Sequence, residues 1–245
     1  MRTIFAVIAV LVLFAVSVTS ASTHGPRIKV KNGTSTNWSG YAAVLGSLTN
    51  PVNNVVTDVK GTWTVQSVNC TGVTANTYSS AWVGIDGYTS NSVEQLGTEH
   101  DCINGQPRYY AWYEMYPKGS YKVALSVQPG DVMNGEVKYA NGQFTLTLNS
   151  ARGAFKTTQR ANRADRSSAE WIMEAPWSGG VLPLANFGTM PFTSSTATIN
   201  GVTKTVSGFT NDQINMVTSD GTTIKALTSP LASDGASFSE QWQHN

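Results

Sequence analysis

Hydrophobic and polar residues alternate along most of this chain, and β signals run almost throughout with no convincing helical periodicity. Thr- and Val-rich runs are broken by turn signals roughly every dozen residues. Asn141-Gly142 sits between Glu136–Tyr139 and Phe144–Leu148, and Asn200-Gly201 between Thr196–Ile199 and Val202–Val206. Asp220-Gly221 separates Ile214–Val217 from Thr222–Leu227, and Pro129-Gly130-Asp131 marks a further turn. Such dipeptides supply the positive φ angles that two-residue hairpins need. The pattern predicts an all-β fold, a sandwich of two antiparallel sheets forming one domain over residues 37–245.

Three of the expected strands are dense in aromatic and acidic residues. A period of two places Trp82, Gly84 and Asp86 on one face of the first, with Val83 and Ile85 opposite. In the second, Tyr110, Trp112, Glu114 and Tyr116 share a face. In the third, Glu170, Ile172 and Glu174 fall together, opposite Trp171 and Met173. Each strand therefore has an apolar face for a core and a mixed face. Tryptophans alone are more often core, but a buried unpaired carboxyl is costly. The mixed faces must either meet water or form a site of hydrogen-bonded acids, and could line a groove for an extended polymer. Between the first two strands lies Glu94-Gln95-Leu96-Gly97, by itself a weak signal.

Composition narrows the partners. Of 245 residues only 13% are charged, about half the usual quarter, and the formal charge is +1. Near-neutrality gives no reason to expect nucleic acid or an anionic membrane as partner. Arg2, the apolar run Ile4–Val18 and the small residues after it read as a secretory signal over residues 1–21. That run is shorter than the ~20 apolar residues a membrane span needs. The mature chain is thus expected to be secreted, soluble and monomeric, with no membrane contact once the signal is cleaved. Residues 22–36, polar and basic, are expected to be a short leader or flexible arm.

Cys70 and Cys102 are the only cysteines, and in an oxidising compartment a lone pair most simply forms one disulfide. With three scattered histidines (His24, His100, His244) they lack the spacing of a metal site, so no metal or other cofactor is expected. His100 could as well be a surface residue. The basic stretch Arg152–Arg166 has no aromatic platform and reads as a solvated hairpin or loop.

Five segments match one family in order and spacing: Asn37-Trp38-Ser39-Gly40-Tyr41, Ala81–Gly87, Glu94–Gly97, Ala111–Glu114 and Ala169–Glu174. In these the chain resembles the glutamic peptidases, or eqolisins. The resemblance implies a two-sheet β-sandwich that cuts polypeptides with a Gln–Glu dyad and no metal, at acidic pH. It identifies Gln95 with the catalytic glutamine and Glu174, rather than Glu170, with the catalytic glutamate. It gives Trp38, Trp82 and Trp112 to the substrate cleft, and Asp86 and Glu114 to the acids supporting the dyad. Unlike the strongly acidic fungal members, this chain is close to neutral.

Two other readings fit the residues without the resemblance. A glycoside hydrolase would use two of Glu94, Glu99, Glu114, Glu170 and Glu174, with tryptophans stacking on sugar rings. A non-catalytic carbohydrate-binding module would need only the tryptophans. Gln95 separates them, because only the peptidase requires it.

Overall fold

The computed structural model describes residues 22–161 and 163–245, so the expected signal segment lies outside the described residues. Two short strands, β1 (Lys29–Lys31) and β2 (Thr34–Ser35), precede β3 (Trp38–Val44), and a small hairpin, β4 (Gly46–Ser47) and β5 (Asn50–Pro51), leads into β6 (Val56–Thr64). The chain continues through β7 (Ser80–Ile85), β8 (Val93–Ile103), β9 (Gln106–Tyr116) and β10 (Tyr121–Lys122). A meander of β11 (Val132–Ala140), β12 (Gln143–Ser150) and β13 (Gly153–Gln159) follows, then β14 (Ser168–Glu174), β15 (Thr189–Ile199) and β16 (Val202–Thr205). The last strands are β17 (Thr210–Val217), β18 (Ile224–Thr228) and β19 (Phe238–Trp242).

The strands form two layers that share β17. One is antiparallel throughout, in the order β17-β3-β14-β7-β8-β9-β10. The other runs β13-β12-β11-β6-β15-β19-β18-β17, and β17 also pairs in parallel with β2. The all-β sandwich expected from alternation is the observed architecture. Hairpin chemistry explains two of its corners: Asn141 and Gly142 have φ of 53° and 76°, and Asn200 and Gly201 have 51° and 75°. The Asp220-Gly221 corner differs, because only Gly221 is left-handed and Thr218 N–H closes a wider loop on Thr223 O at 2.9 Å.

The core lies between the layers. Val83, Ile85, Leu96, Trp171 and Met173 from one face Val59, Trp63, Val137, Phe144 and Leu146 from the other, all buried. The two large indoles are also tied polar-end first. Trp171 Nε1–H donates to Lys60 O at 2.6 Å, and Trp63 Nε1–H to Thr98 Oγ1 at 2.8 Å. Gly61 and Gly135 pair across β6 and β11 beneath these rings, and a Cβ on Gly61 would come within 2.7 Å of the Trp171 ring. Cys70 and Cys102 form the disulfide. His100 is not a surface residue: it is fully buried, bonded to Thr98 Oγ1 at 2.9 Å, and burial lowers its pKa to about 3. Arg152 ion-pairs with Asp131 at 2.7 Å beside an exposed turn, as a solvated hairpin would have it.

Candidate active site

Register places the mixed faces together on the side of the antiparallel layer turned away from the core. Three cross-strand rows run over β3, β14, β7, β8 and β9: Trp38–Glu174–Ser80–Glu99–Tyr110, Gly40–Ile172–Trp82–Gly97–Trp112, and Ala42–Glu170–Gly84–Gln95–Glu114. In the middle row Gly97 separates two tryptophans. A Cβ there would lie 2.3 Å from Ala81 O and 2.6 Å from Trp82 Cβ, so only glycine lets β7 and β8 pair with Trp82 in place. Trp82 packs edge-on against Trp38, with centroids 4.9 Å apart. Its Nε1–H donates to Glu174 Oε2 at 2.8 Å, and Trp112 Nε1–H donates to Ser80 Oγ at 3.0 Å.

Residues 22–28, within the segment expected as a leader or flexible arm, lie across these rows. Thr23 exchanges two backbone hydrogen bonds of 2.9 Å with Trp177. His24 N–H donates to Glu114 Oε2 at 2.8 Å. Three successive carbonyls are then held by side chains of the site. Gln95 Nε2–H donates to His24 O, Trp38 Nε1–H to Gly25 O at 3.1 Å, and Asn37 Nδ2–H to Pro26 O at 3.2 Å. The same Asn37 amide lies 3.4 Å from Glu174 Oε1. Arg27 N–H bonds Gly87 O at 3.0 Å and Ile28 N–H bonds Asn37 Oδ1 at 2.8 Å. No hydrogen bond joins Gln95 to Glu174 among the described residues; the arm's backbone and Asn37 lie between them.

The His24 ring stacks on Trp112 with centroids 3.6 Å apart and planes 7° from parallel. Its Nε2 bonds Glu99 Oε1, and its Nδ1 lies 3.1 Å from Glu114 Oε2. Burial opposes its charge, but the Glu99 field and hydrogen bonds to both acids lift its pKa to about 10, so the ring is an imidazolium at neutral pH. Beneath the arm, burial raises the Glu174 pKa to about 8, with His24 pulling it down and Glu114 pushing it up. Gln95 Oε1 is buried without a hydrogen-bond partner.

Of the residues expected at the site, Gln95, Glu174, Trp38, Trp82, Trp112 and Glu114 share this face, each in contact with the arm or with a residue that touches it. Asp86 does something different. At φ 76° it accepts from Arg166 N–H at 2.6 Å and Ser167 N–H at 2.9 Å, holding the entry to β14, and it bonds neither Gln95 nor Glu174. Burial, then its neighbour Asp86, pushes Glu94 well above the carboxylate range, and burial does the same to Glu170. Among the described residues no cluster of His, Cys, Asp and Glu has the form of a metal site. Sequence reasoning missed His24, Asn37 and the placement of Glu99. Glu99 was accessible from the same alternation that aligns Gln95 and Gly97, whereas nothing local marks His24.

Comparison with known proteins bears on the family and the fold. The model of the peptidase A4 family matches residues 36–240. Aspergillopepsin-2 of Aspergillus niger is 31% identical over 195 residues, covering 69% of this chain; the match spans 66% of that relative, just under two thirds of its length. The crystal structure of aspergilloglutamic peptidase from Aspergillus niger superposes with a TM-score of 0.60 at 30% identity, over 68% of this chain and 99% of that one. Scytalido-glutamic peptidase with a transition state analog inhibitor shares the fold, with a TM-score of 0.70 at 20% identity over 85% of this chain and 98% of that one.

Proposed function

Because the chain belongs to the peptidase A4 family, we propose that it is a secreted, monomeric glutamic endopeptidase hydrolysing polypeptides at acidic pH. The observation that carries this reading is the arm's backbone gripped at three successive carbonyls, with the first on the Gln95 amide and Glu174 beside the third through Asn37. That is how a cleft would hold a peptide.

In this reading Glu174 takes a proton from water as the water oxygen attacks the scissile carbonyl carbon. Gln95 Nε2–H donates to the oxyanion that forms, and its unpartnered Oε1 is free to orient the water. Glu174 then delivers the proton to the leaving nitrogen as the C–N bond breaks. General acid–base help of this kind contributes roughly 10²–10⁴-fold, and an oxyanion donor on the order of 10²–10³-fold. Trp82 fixes the Glu174 carboxyl, Trp38 holds the carbonyl after the scissile one, and Trp112 floors the neighbouring side-chain pocket.

With the arm in place Glu174 is fully buried and protonated below about pH 8, hence unable to act as base. Withdrawal of residues 22–28 would admit water and relieve burial, the main cause of the shift, while also taking away the His24 charge that opposes it. The test is digestion of a denatured protein across roughly pH 2–8, a range spanning carboxyl titration, with chelator, pepstatin and a Glu174→Gln control. Cleavage that persists with both inhibitors and vanishes in the variant supports the dyad. Cleavage that persists in the variant removes Glu174 from the mechanism.

A further inference from the structure

The side chain of His24 is held as specifically as its carbonyl. It is buried, its ring lies flat on Trp112, and each ring nitrogen meets a separate acidic side chain, Glu99 or Glu114. Two acids converging on one aromatic cation select for charge, shape and planarity together: the charged hydrogen bonds set polarity, and the indole face favours a flat cation. The pocket also has a fixed place relative to the chemistry, since the carbonyl on Gln95 belongs to the same residue that fills it. An aliphatic side chain there would leave Glu99 Oε1 without its ring partner and Glu114 with the backbone N–H alone, which is costly for buried acids.

We infer that Trp112, Glu99 and Glu114 form a specificity subsite for a basic, planar side chain, histidine or arginine, on the acyl side of the bond that is cut. His24 is the chain's own occupant of that subsite, and His24–Gly25 is the bond it presents. The inference rests on the peptidase reading for the identity of the bond, while the pocket's selectivity can be measured by binding alone.

The experiment uses the full chain carrying His24→Ala, so that its own arm competes less. Two hexapeptides are titrated by calorimetry and followed by mass spectrometry: Ser-Thr-His-Gly-Pro-Arg, the sequence of residues 22–27, and its counterpart with Leu for His. The His peptide is expected to bind about tenfold or more tightly, as a desolvated charge-assisted pair would give. Adding Glu99→Gln should bring that ratio down toward one. Equal affinity, or no binding of either peptide, overturns the subsite. Selective binding with no cleavage of any peptide or denatured protein keeps the subsite and overturns the peptidase reading. Cleavage of both peptides at equal efficiency does the reverse.

Discussion

The amide of Gln95 donates to the carbonyl oxygen of His24, a residue 71 positions earlier in the chain. That bond joins the start of β8 to the arm before β1, and it is one of a series. The next two carbonyls are taken by Trp38 and Asn37, the first residues of the opening motif of the domain. The arm's backbone is therefore held chiefly by side chains of the site, rather than by a sheet edge. A free peptide could use the same donors.

Loss of either member of the proposed dyad should separate catalysis from folding. Gln95→Ala is expected to lower kcat by about 10²–10³-fold, and Glu174→Gln by about 10²–10⁴-fold or more, with unchanged far-UV circular dichroism. Progress curves on a denatured protein substrate measure both. A Gln95→Ala enzyme with native kcat would remove the oxyanion role.

Stability should rise as pH falls from about 8 to about 4.5. Glu174 and Glu240 are fully buried with pKa raised to about 8, burial being the first cause in each, and Glu94 and Glu170 are raised for the same reason. In the folded chain they hold protons that the unfolded chain releases above its ordinary carboxyl pKa of 4.5. Each therefore destabilises the fold progressively as pH rises from there to its folded pKa, by on the order of a few kcal/mol in total. His100 works the other way: its pKa of about 3 means that the unfolded chain gains a proton first as pH falls below 6.5. Four carboxyls outweigh one imidazole over the range they share. Thermal melts at unit pH steps should show the highest Tm on the acid side, and a flat or inverted profile would refute the protonated-acid picture. Glu174→Gln should raise Tm at pH 7 and leave it unchanged near pH 4.

How much of this was legible in the sequence follows from how local each signal is. Alternation alone separates Trp82 and Glu174 from Val83 and Trp171, and the structure has them on opposite faces as expected. Asn141-Gly142 and Asn200-Gly201 announce their hairpins because left-handed φ is a property of the dipeptide. Asp86 was misleading because its own positive φ ends the alternation of β7 and turns its carboxyl toward Arg166 and Ser167. His24 was opaque for another reason: its burial comes from Trp112 and Glu99, on strands far along the chain, so the residues around it carry no periodic signal. His100 shares a face of β8 with its partner Thr98, so its burial follows from which face of that strand meets the core.

The Cys70–Cys102 disulfide closes a loop with a sequence separation of 32 that contains β7 and nearly all of β8. On the chain-entropy model this stabilises the fold by about 3–4 kcal/mol. Replacing both cysteines by serine should lower the denaturant midpoint accordingly. Residual peptidase activity should fall less than stability, since neither sulfur touches the arm or the dyad. Guanidinium melts monitored by tryptophan fluorescence, with initial rates in parallel, test this. A double variant of native stability would show that the loop is already ordered in the unfolded ensemble.

Gly97 offers the sharpest test of how the fold places the chemistry. It pairs with Trp82 on one side and Trp112 on the other, and a Cβ would lie 2.3 Å from the Ala81 carbonyl oxygen. Backbone cannot rotate away as a side chain can, so Gly97→Ala must part β7 from β8. The shift separates Gln95 and Glu99 on one strand from Trp82, which steadies Glu174, on the other. Overpacking of this kind costs about 1–3 kcal/mol, and a displacement of about 1 Å at reacting groups can cost on the order of 10²-fold in rate. Gly119→Ala is the control, because a Cβ there has nothing within 4 Å and its φ is not left-handed. Gly97→Ala is expected to lose both stability and kcat/KM while Gly119→Ala retains both. If the two variants behave alike, the close approach of β7 and β8 at Trp82 is not what holds the dyad in place.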